Sequence, residues 1–341
     1  RDGGTRAEAV LDKLLNFHRN GNAEILPDSR SFSHIVDYYT RQRELDAPMK
    51  AEKMLNRMIE MYEAGYTNLC PNIYPFTNVI NAYANSKQPY SGKCAERVLR
   101  KMTDLKKRHN LGRLKVTSMA ANAVLQAWAN TGESNAGEMA EAILNEMEKE
   151  YHAGNPDIKP STRSYGLAIS AWAKSRVNNK AHRALSVLNR MVREYKGGND
   201  GARPNVQAYN SCINACAFTD GPQENQLQAF DLAKSIVQEL YDCEFGAPTG
   251  ATFGTFIKAC GRLNLPRDIV AENLESSFLK CRDMGLVNDF VLTQLRYSSP
   301  DGLYRQLLGD DIIPRDGPEK IRVEVENIPL EWRRNVPDKI K

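Results

Sequence analysis

The chain has 341 residues, of which 41% are apolar and 26% are charged, as in an ordinary soluble protein. Its 46 basic and 42 acidic residues leave a net charge of +4, which permits nucleic-acid binding without implying it. No run of 18 apolar residues occurs, which excludes a transmembrane helix, and seven cysteines without a CxxC pair make a disulfide framework unexpected.

A short helical pattern recurs along the chain. It reads Ala-x-x-apolar-apolar-x-x-apolar, which places one apolar stripe on a helix. The first copy runs from Ala7 to Leu14 and predicts an isolated helix at about residues 5–20. Degenerate later copies end at Leu240 and Met284. The clear later copies run from Ala51 to Met58, Ala95 to Met102, Ala140 to Met147 and Ala184 to Met191.

A second helical pattern precedes each later copy of the first. It begins with an anchor residue, aromatic in five of six cases, which is followed by an apolar run at helical spacing. The anchors are Phe32, Phe76, Ala121, Tyr165, Tyr209 and Phe253, at intervals of 44, 45, 44, 44 and 44 residues. A proline lies five residues before five of these anchors, where a helix has not yet begun. Each period therefore predicts two helices, A and then B.

These patterns predict an all-α protein, a right-handed α-solenoid of helix-turn-helix repeats with a short C-terminal cap. Residues 1–288 are expected to form the array, with the isolated helix followed by six helix pairs. Residues 289–341 are expected to form the cap and tail, with two short helices at 289–297 and 301–309. The alternating sequence IRVEV at 321–325 predicts a short strand, and IPLEWRRN at 328–335 is expected to dock on the last repeat.

The residues within the repeats narrow the repeat type. The period alone also suits HEAT, armadillo or lengthened tetratricopeptide arrays. The strings PNVQAYNSCINACA at 204–217 and ALSVLNRM at 184–191, however, resemble the first and second helices of pentatricopeptide repeats, and six copies lie in phase. The repeats are longer than that family's usual unit, and the additional residues fall between helices A and B and after helix B.

This resemblance implies a protein that binds single-stranded RNA, with two polar side chains of each repeat contacting one base. The first contact residue follows each anchor: Ser33, Thr77, Asn122, Gly166, Asn210 and Gly254. The second lies four residues before the next anchor: Asn72, Thr117, Ser161, Asn205, Thr249 and Asn288. The family's pairing rules then imply the ligand A-purine-C-any-pyrimidine-any, with Asn122 and Ser161 at the cytosine.

The resemblance also implies stacking and phosphate contacts. Two residues before each anchor, where the family sandwiches the base, lie Arg30, Tyr74, Met119, Arg163, Gln207 and Ala251. Nine residues after each anchor lie Arg41, Asn85, Asn130, Lys174, Phe218 and Arg262, of which the three basic ones are expected to meet phosphate. The basic run KKRHNLGRLK at 106–115 either extends this phosphate track or is a solvated loop.

Structural interpretations remain open beside these functional ones. Asn, Ser and Thr at the second contact position are also the residues that cap helix N-termini. The basic residues nine after the anchors also suit a solvated helix face. Trp128 and Trp172 are expected in the core between repeats, and Cys212 and Cys216 are expected to be buried small residues.

No catalytic motif occurs: the chain has no phosphate-binding Gly-rich loop, no zinc deaminase pattern and no nucleophile elbow. We therefore expect a protein that is not an enzyme, uses no cofactor or metal and does not bind membranes. Its expected partners are single-stranded RNA and other RNA-processing or ribosomal proteins. The alternative is a protein-interaction scaffold of the tetratricopeptide type.

Localisation follows only from the resemblance, which implies a mitochondrion or chloroplast and a role in RNA processing, stability or translation. The chain begins at Arg1 without Met, so we expect that amino-terminal residues have been removed or left out. A targeting peptide or a catalytic region ahead of Arg1 stays open.

Overall fold

The computed structural model describes residues 3–22, 27–42, 44–313, 318 and 320–337, and those residues form 16 α-helices and no β-strand. The prediction of an all-α protein is confirmed for this part of the chain.

The isolated helix is α1, Gly3–Arg19. The A helices are α2 (Ser29–Thr40), α4 (Ile73–Ser86), α6 (Ser118–Thr131), α8 (Thr162–Lys174), α10 (Val206–Ala217) and α12 (Gly250–Arg262). The B helices are α3 (Ala47–Glu63), α5 (Ser91–His109), α7 (Ala136–His152), α9 (Lys180–Lys196), α11 (Gln223–Asp242) and α13 (Arg267–Asp283). The cap contains α14 (Asp289–Ser298), α15 (Leu303–Leu308) and α16 (Leu330–Arg333).

Several B helices end for the same local reason. Gly65, Gly154 and Gly198 follow α3, α7 and α9 with φ of 104°, 93° and 102°, in the left-handed region that a residue without Cβ adopts easily. After α5, Asn110 takes this place at φ 49°. A single 3-10 turn follows each of the three glycines before the next A helix begins.

The chain forms two compact units, residues 1–160 and residues 161–341. Within the first unit each A helix packs against its own B helix, and α2 and α4 each also pack against the next A helix, α4 and α6. The B helices α3 and α5 also pack against the following A helices, α4 and α6. The isolated helix α1 packs against α2, in the place that a B helix has in the repeat order.

The second unit follows the same order from α8 to α13 and then continues into the cap. Helix α14 packs against α12 as the next A helix would, and α13 contacts α15 and α16. One apolar cluster joins Phe278 of α13 to Leu292 and Tyr304 of the cap. The cap residues therefore belong to the same compact unit as the fourth to sixth helix pairs.

The residues that define the two helical patterns lie in the core. All six anchors are at most 2% exposed, and so are the Ala and Met residues of the four clear B-helix copies. Trp128 and Trp172, at 1% and 2% exposure, confirm the prediction that they are core residues. Cys212 and Cys216 are fully buried, also as predicted, and burial raises the pKa of the Cys216 thiol to about 12.

A hydrogen bond between successive repeats recurs in the first unit. The aromatic residue seven positions after each anchor donates to a glutamate of the preceding B helix. The pairs are Tyr39 with Glu8, Tyr83 with Glu52 at 2.6 Å, and Trp128 with Glu96 at 3.2 Å. Glu52 is 6% exposed and also accepts from Arg97 at 2.7 Å, which links a third helix. Each glutamate directly follows the Ala of the B-helix pattern, a repeated signal that the sequence analysis missed.

The predicted strand at 321–325 is wrong. Residues 321–324 have no regular structure, and a 3-10 turn follows at Val325–Asn327. The alternation itself is real, because Val323 is buried between exposed neighbours. A strand needs a second strand to satisfy its backbone groups. Here the Ile321 carbonyl accepts from the Tyr304 hydroxyl at 3.1 Å, and the Val325 N–H donates to Asp289 Oδ1 at 3.3 Å.

The tail docks on the last helix pair, as predicted. The Trp332 ring lies 5.9 Å from the Phe278 ring in an edge-to-face arrangement, and the Trp332 carbonyl accepts from the Val287 N–H at 2.9 Å. The Asn335 side chain donates to the Met284 carbonyl at 2.8 Å. These contacts cover the end of α13.

Candidate nucleic-acid interface

The A helices place the predicted contact residues on one side. Residues at positions −2, +1, +5 and +9 relative to an anchor lie about 100–180° around the helix from it. Because the anchors are buried, these positions face away from the apolar stripe. We call this surface of each A helix its A face, and we describe it separately in the two units.

The −2 position is exposed in every repeat. All six residues are exposed: Arg30, Tyr74, Met119, Arg163, Gln207 and Ala251. Tyr74 and Met119 are 70% and 69% exposed, although large apolar side chains are usually covered. Their helices, α4 and α6, pack against each other, so the first unit presents a Tyr and a Met at equivalent places on neighbouring helices.

The +1 position holds two asparagines with an unusual feature. Asn122 and Asn210 are half-buried, and the Oδ1 atom of each is buried with no hydrogen-bond partner among the described residues. A buried carbonyl oxygen without a donor costs about 1–3 kcal/mol.

The other +1 residues differ among themselves. The Ser33 hydroxyl donates to the Ser29 carbonyl at 2.8 Å, and the Thr77 hydroxyl donates to the Ile73 carbonyl at 3.0 Å. Gly166 has open space where a Cβ would lie. At Gly254 a Cβ would lie 2.4 Å from Cδ1 of Phe290, so the cap helix covers the sixth position.

The second contact residues are all helix N-caps. The side-chain oxygen of each accepts a backbone N–H in the first turn of an A helix or of α14. The bonds are Asn72 from Tyr74 (3.0 Å), Thr117 from Ala120 (3.4 Å), Ser161 from Ser164 (3.4 Å), Asn205 from Ala208 (2.9 Å), Thr249 from Thr252 (3.4 Å) and Asn288 from Val291 (3.0 Å). The capping interpretation is therefore confirmed. A cap uses only the oxygen, so the amide N–H groups of the asparagines lie outside it.

The basic +9 residues have different surroundings. Arg41 is 76% exposed and pairs with Asp37 at 2.6 Å, whereas Lys174 is exposed on α8. Arg262 lies 4.1 Å from the centre of the Phe218 ring, and Lys258 lies 4.3 Å from the same centre. Burial and the neighbouring Arg262 lower the pKa of the Lys258 ammonium. Lys258 and Arg262 thus concentrate positive charge on the second unit, and neither pairs with a carboxylate among the described residues.

A small pocket lies on the A face of the second unit, across α8, α10 and α12. Its volume is about 270 Å³, close to the lower end of roughly 300 Å³ for small-molecule sites. Seven of the nine residues that line it are polar: Ser170, Lys174, Gln207, Asn210, Ser211, Asn214 and Thr255. The structure therefore brings Asn210, Lys174 and the −2 residues Gln207 and Ala251 together.

The basic run at 106–115 is partly engaged in contacts between repeats. Arg108 bonds to Glu63, and His109 Nε2 lies 3.3 Å from the same carboxylate. Lys115 pairs with Asp157 at 2.9 Å. Both Arg108 and Lys115 keep more than half of their side chains exposed, so the run is a solvated segment that also links neighbouring repeats.

Other classes of site do not appear in the part of the chain that the structure describes. Those residues contain no group of three His, Cys, Asp or Glu side chains that could hold a metal ion. None of their helices is long and apolar enough to cross a membrane. No model of a known protein family matches the chain, and no curated protein matches it.

Proposed function

We propose that the chain is a pentatricopeptide-type α-solenoid that binds single-stranded RNA along the A faces of its repeats. The observation that carries this proposal is the unsatisfied amide at the +1 position of two repeats, Asn122 and Asn210. A folded chain gains nothing from a buried carbonyl without a donor, and a ligand that supplies the donor removes this penalty. An amide offers both a donor and an acceptor, which suits the Watson–Crick edge of a base.

The surroundings of Asn210 support RNA over other ligands. The polar pocket beside it is open to one side and is flanked by Lys174, while Lys258 and Arg262 lie further along the same helix faces. A base that enters this pocket leaves its phosphate near these cations, which bind phosphate and release counterions. Exposed −2 residues such as Tyr74 and Met119 provide stacking surfaces in the first unit.

The proposed protein is a binder and not an enzyme. It acts by covering a segment of RNA or by bringing other RNA-processing or ribosomal proteins to it, in a mitochondrion or chloroplast. Its expected ligand is A-purine-C-any-pyrimidine-any. Gly254 contributes least to this sequence, because Phe290 covers it.

The test is selection from a randomised single-stranded RNA pool by the purified chain at physiological salt, followed by sequencing. We expect the stated sequence to be enriched. Asn210→Asp should change the preference at the pyrimidine position, because the acid loses the amide donors and adds charge beside phosphate. Asn178→Asp adds the same charge in an exposed loop and should leave the selected sequence unchanged.

Two other outcomes have definite meanings. Enrichment of an unrelated sequence that Asn210→Asp does not alter would retain RNA binding and reject the assignment of contact residues. No RNA retention at low salt, where phosphate contacts are strongest, would reject RNA binding and favour a protein-interaction scaffold.

A further inference from the structure

One helix pair lacks the large buried side chain that the other five pairs have at the anchor position. Five anchors are Phe or Tyr and are buried between the helices of their repeats. The third anchor is Ala121, which provides only a methyl group at the same place. No aromatic ring from this position fills the space between α6 and its neighbouring B helices.

A groove is present beside this position. It has a volume of about 720 Å³ and runs between α5 and α7, with Ala121 at its floor. Its apolar lining includes Leu99 and Val116 on one side and Met139 and Ile143 on the other. Ala121 itself is only 1% exposed, so these half-buried side chains narrow the deepest part of the groove. A large side chain that enters must displace them toward the walls.

The fifth helix pair shows what such a side chain does. There the anchor Tyr209 is buried, and its hydroxyl donates to Glu239 Oε1 at 3.0 Å. Glu239 immediately precedes Leu240, the last residue of the B-helix pattern. In the third pair Glu146 immediately precedes Met147 and lines the groove. The third pair therefore has a carboxylate acceptor but lacks the phenol that would donate to it.

The rims of the groove carry opposite charges. Lys106 and Lys107 lie on the α5 side, and neither forms an ion pair among the described residues. Glu146 and Glu150 lie on the α7 side, and the nearest cation to Glu146 is Lys149 at 3.8 Å. Both rims therefore have charges available for a partner.

We propose that this groove binds a short segment of a partner protein through one tyrosine side chain. The ring enters the space above Ala121 and the hydroxyl donates to Glu146, as Tyr209 donates to Glu239 within the fifth pair. An acidic residue beside the tyrosine pairs with Lys106 or Lys107. The groove is larger than one ring, so apolar neighbours of the tyrosine cover Leu99 and Ile143. Ala121 lies on the buried stripe of α6, away from the A face, so this site is independent of RNA binding.

The test uses two displayed libraries of random short peptides, one with a fixed central Tyr and one with a fixed central Ala, selected on the purified chain. We expect binders from the Tyr library alone, with an acidic residue near the tyrosine. One enriched peptide is then synthesised with Tyr and with Phe at the centre. On the unaltered chain the Phe peptide should bind about tenfold more weakly, because a hydrogen bond to a carboxylate is lost.

Three variants locate the site. On Glu146→Ala the Tyr and Phe peptides should bind equally, whereas Glu138→Ala, on the same helix outside the groove, should keep the tenfold difference. Ala121→Phe fills the groove as in the other repeats and should abolish peptide binding. If thermal unfolding shows that Ala121→Phe does not fold, the two glutamate variants decide by themselves.

Three results would overturn the proposal. They are a selection without tyrosine-dependent peptides, a Tyr-to-Phe difference that persists on Glu146→Ala, and displacement of the peptide by single-stranded RNA. The last would place the peptide on the A face. Failure of RNA binding alone leaves this proposal standing, because the peptide assay contains no RNA until the competition step.

Discussion

The third and fifth helix pairs share one architecture and differ at a buried residue. Both A helices begin at a polar N-cap and carry an asparagine at the +1 position whose oxygen has no partner among the described residues. Both B helices carry a glutamate one residue before the end of the buried pattern. In the fifth pair Tyr209 reaches that glutamate, whereas in the third pair Ala121 leaves a groove beside it.

This comparison separates two roles within one repeat. The A face carries the polar contact residues, and their positions do not depend on the size of the anchor. The anchor lies on the opposite, buried side of the A helix, and in the third pair it lines the groove between α5 and α7. The smaller anchor is tolerated because the second pair also holds the third, through the packing of α4 and α5 against α6.

The largest effect is expected when the fifth pair is made like the third. Tyr209→Ala removes a buried ring and leaves a cavity, which should lower the free energy of unfolding by about 3–4 kcal/mol. Denaturant titration measures this loss. Tyr74→Ala removes the same side chain from a site that is 70% exposed and should change stability by less than about 0.5 kcal/mol. Equal effects of the two variants would show that the anchor is not a packing centre.

Removing the unsatisfied amides should stabilise both pairs. Asn122→Leu and Asn210→Leu each replace a buried oxygen that lacks a donor, and each should raise the free energy of unfolding by about 1 kcal/mol while weakening RNA selectivity. Asn214→Leu is the matched control on α10, because its oxygen accepts from Lys258 at 2.8 Å. We expect the control to lose about 1 kcal/mol. Destabilisation by all three would mean that the two oxygens are satisfied in solution.

The hydrogen bond from Tyr209 to Glu239, which the third pair lacks because its anchor is Ala121, should give a smaller effect that depends on pH. Tyr209→Phe should cost about 1 kcal/mol at neutral pH. Burial and the nearby Glu239 raise the pKa of the Tyr209 hydroxyl in the folded chain. Its protonated form therefore stabilises the fold fully below the unfolded pKa of about 10, and this contribution is lost as pH rises above that value.

Unfolding of the unaltered chain and of Tyr209→Phe, measured side by side from neutral to alkaline pH, tests this sign. The difference between the two should shrink above about pH 10. A difference that grows with pH would contradict the assigned donor role of the hydroxyl.

The smallest difference is expected between the N-caps of the two A helices. Asn205 accepts its backbone N–H at 2.9 Å and Thr117 accepts at 3.4 Å. Asn205→Ala should therefore cost about 1 kcal/mol and Thr117→Ala nearer 0.5 kcal/mol. Denaturant midpoints of the two variants give the comparison. The reverse order would show that the length of the capping hydrogen bond does not determine how much the cap stabilises the helix.

Local signals in the sequence determined the helices and their burial. The 3.6-residue spacing of apolar residues, the prolines before the A helices and the constant period placed α1 to α13 and the buried anchors, because a helix and its apolar stripe depend on residues within a few turns. The contact positions on the A face follow from the same spacing. The all-helical part of the prediction is therefore confirmed, whereas RNA binding and the base preference stay predictions.

Only the tertiary structure shows the features that arise from contacts between residues about one repeat apart in the sequence. The ring of Phe290 over Gly254, the unpaired oxygens of Asn122 and Asn210, and the groove above Ala121 arise where separate helices meet. The segment at 321–325 alternates as a strand does, yet it packs on helices because no strand lies beside it among the described residues. The periodicity of the apolar residues predicts which side chains are buried. Which side chains they contact depends on how the helices pack against one another.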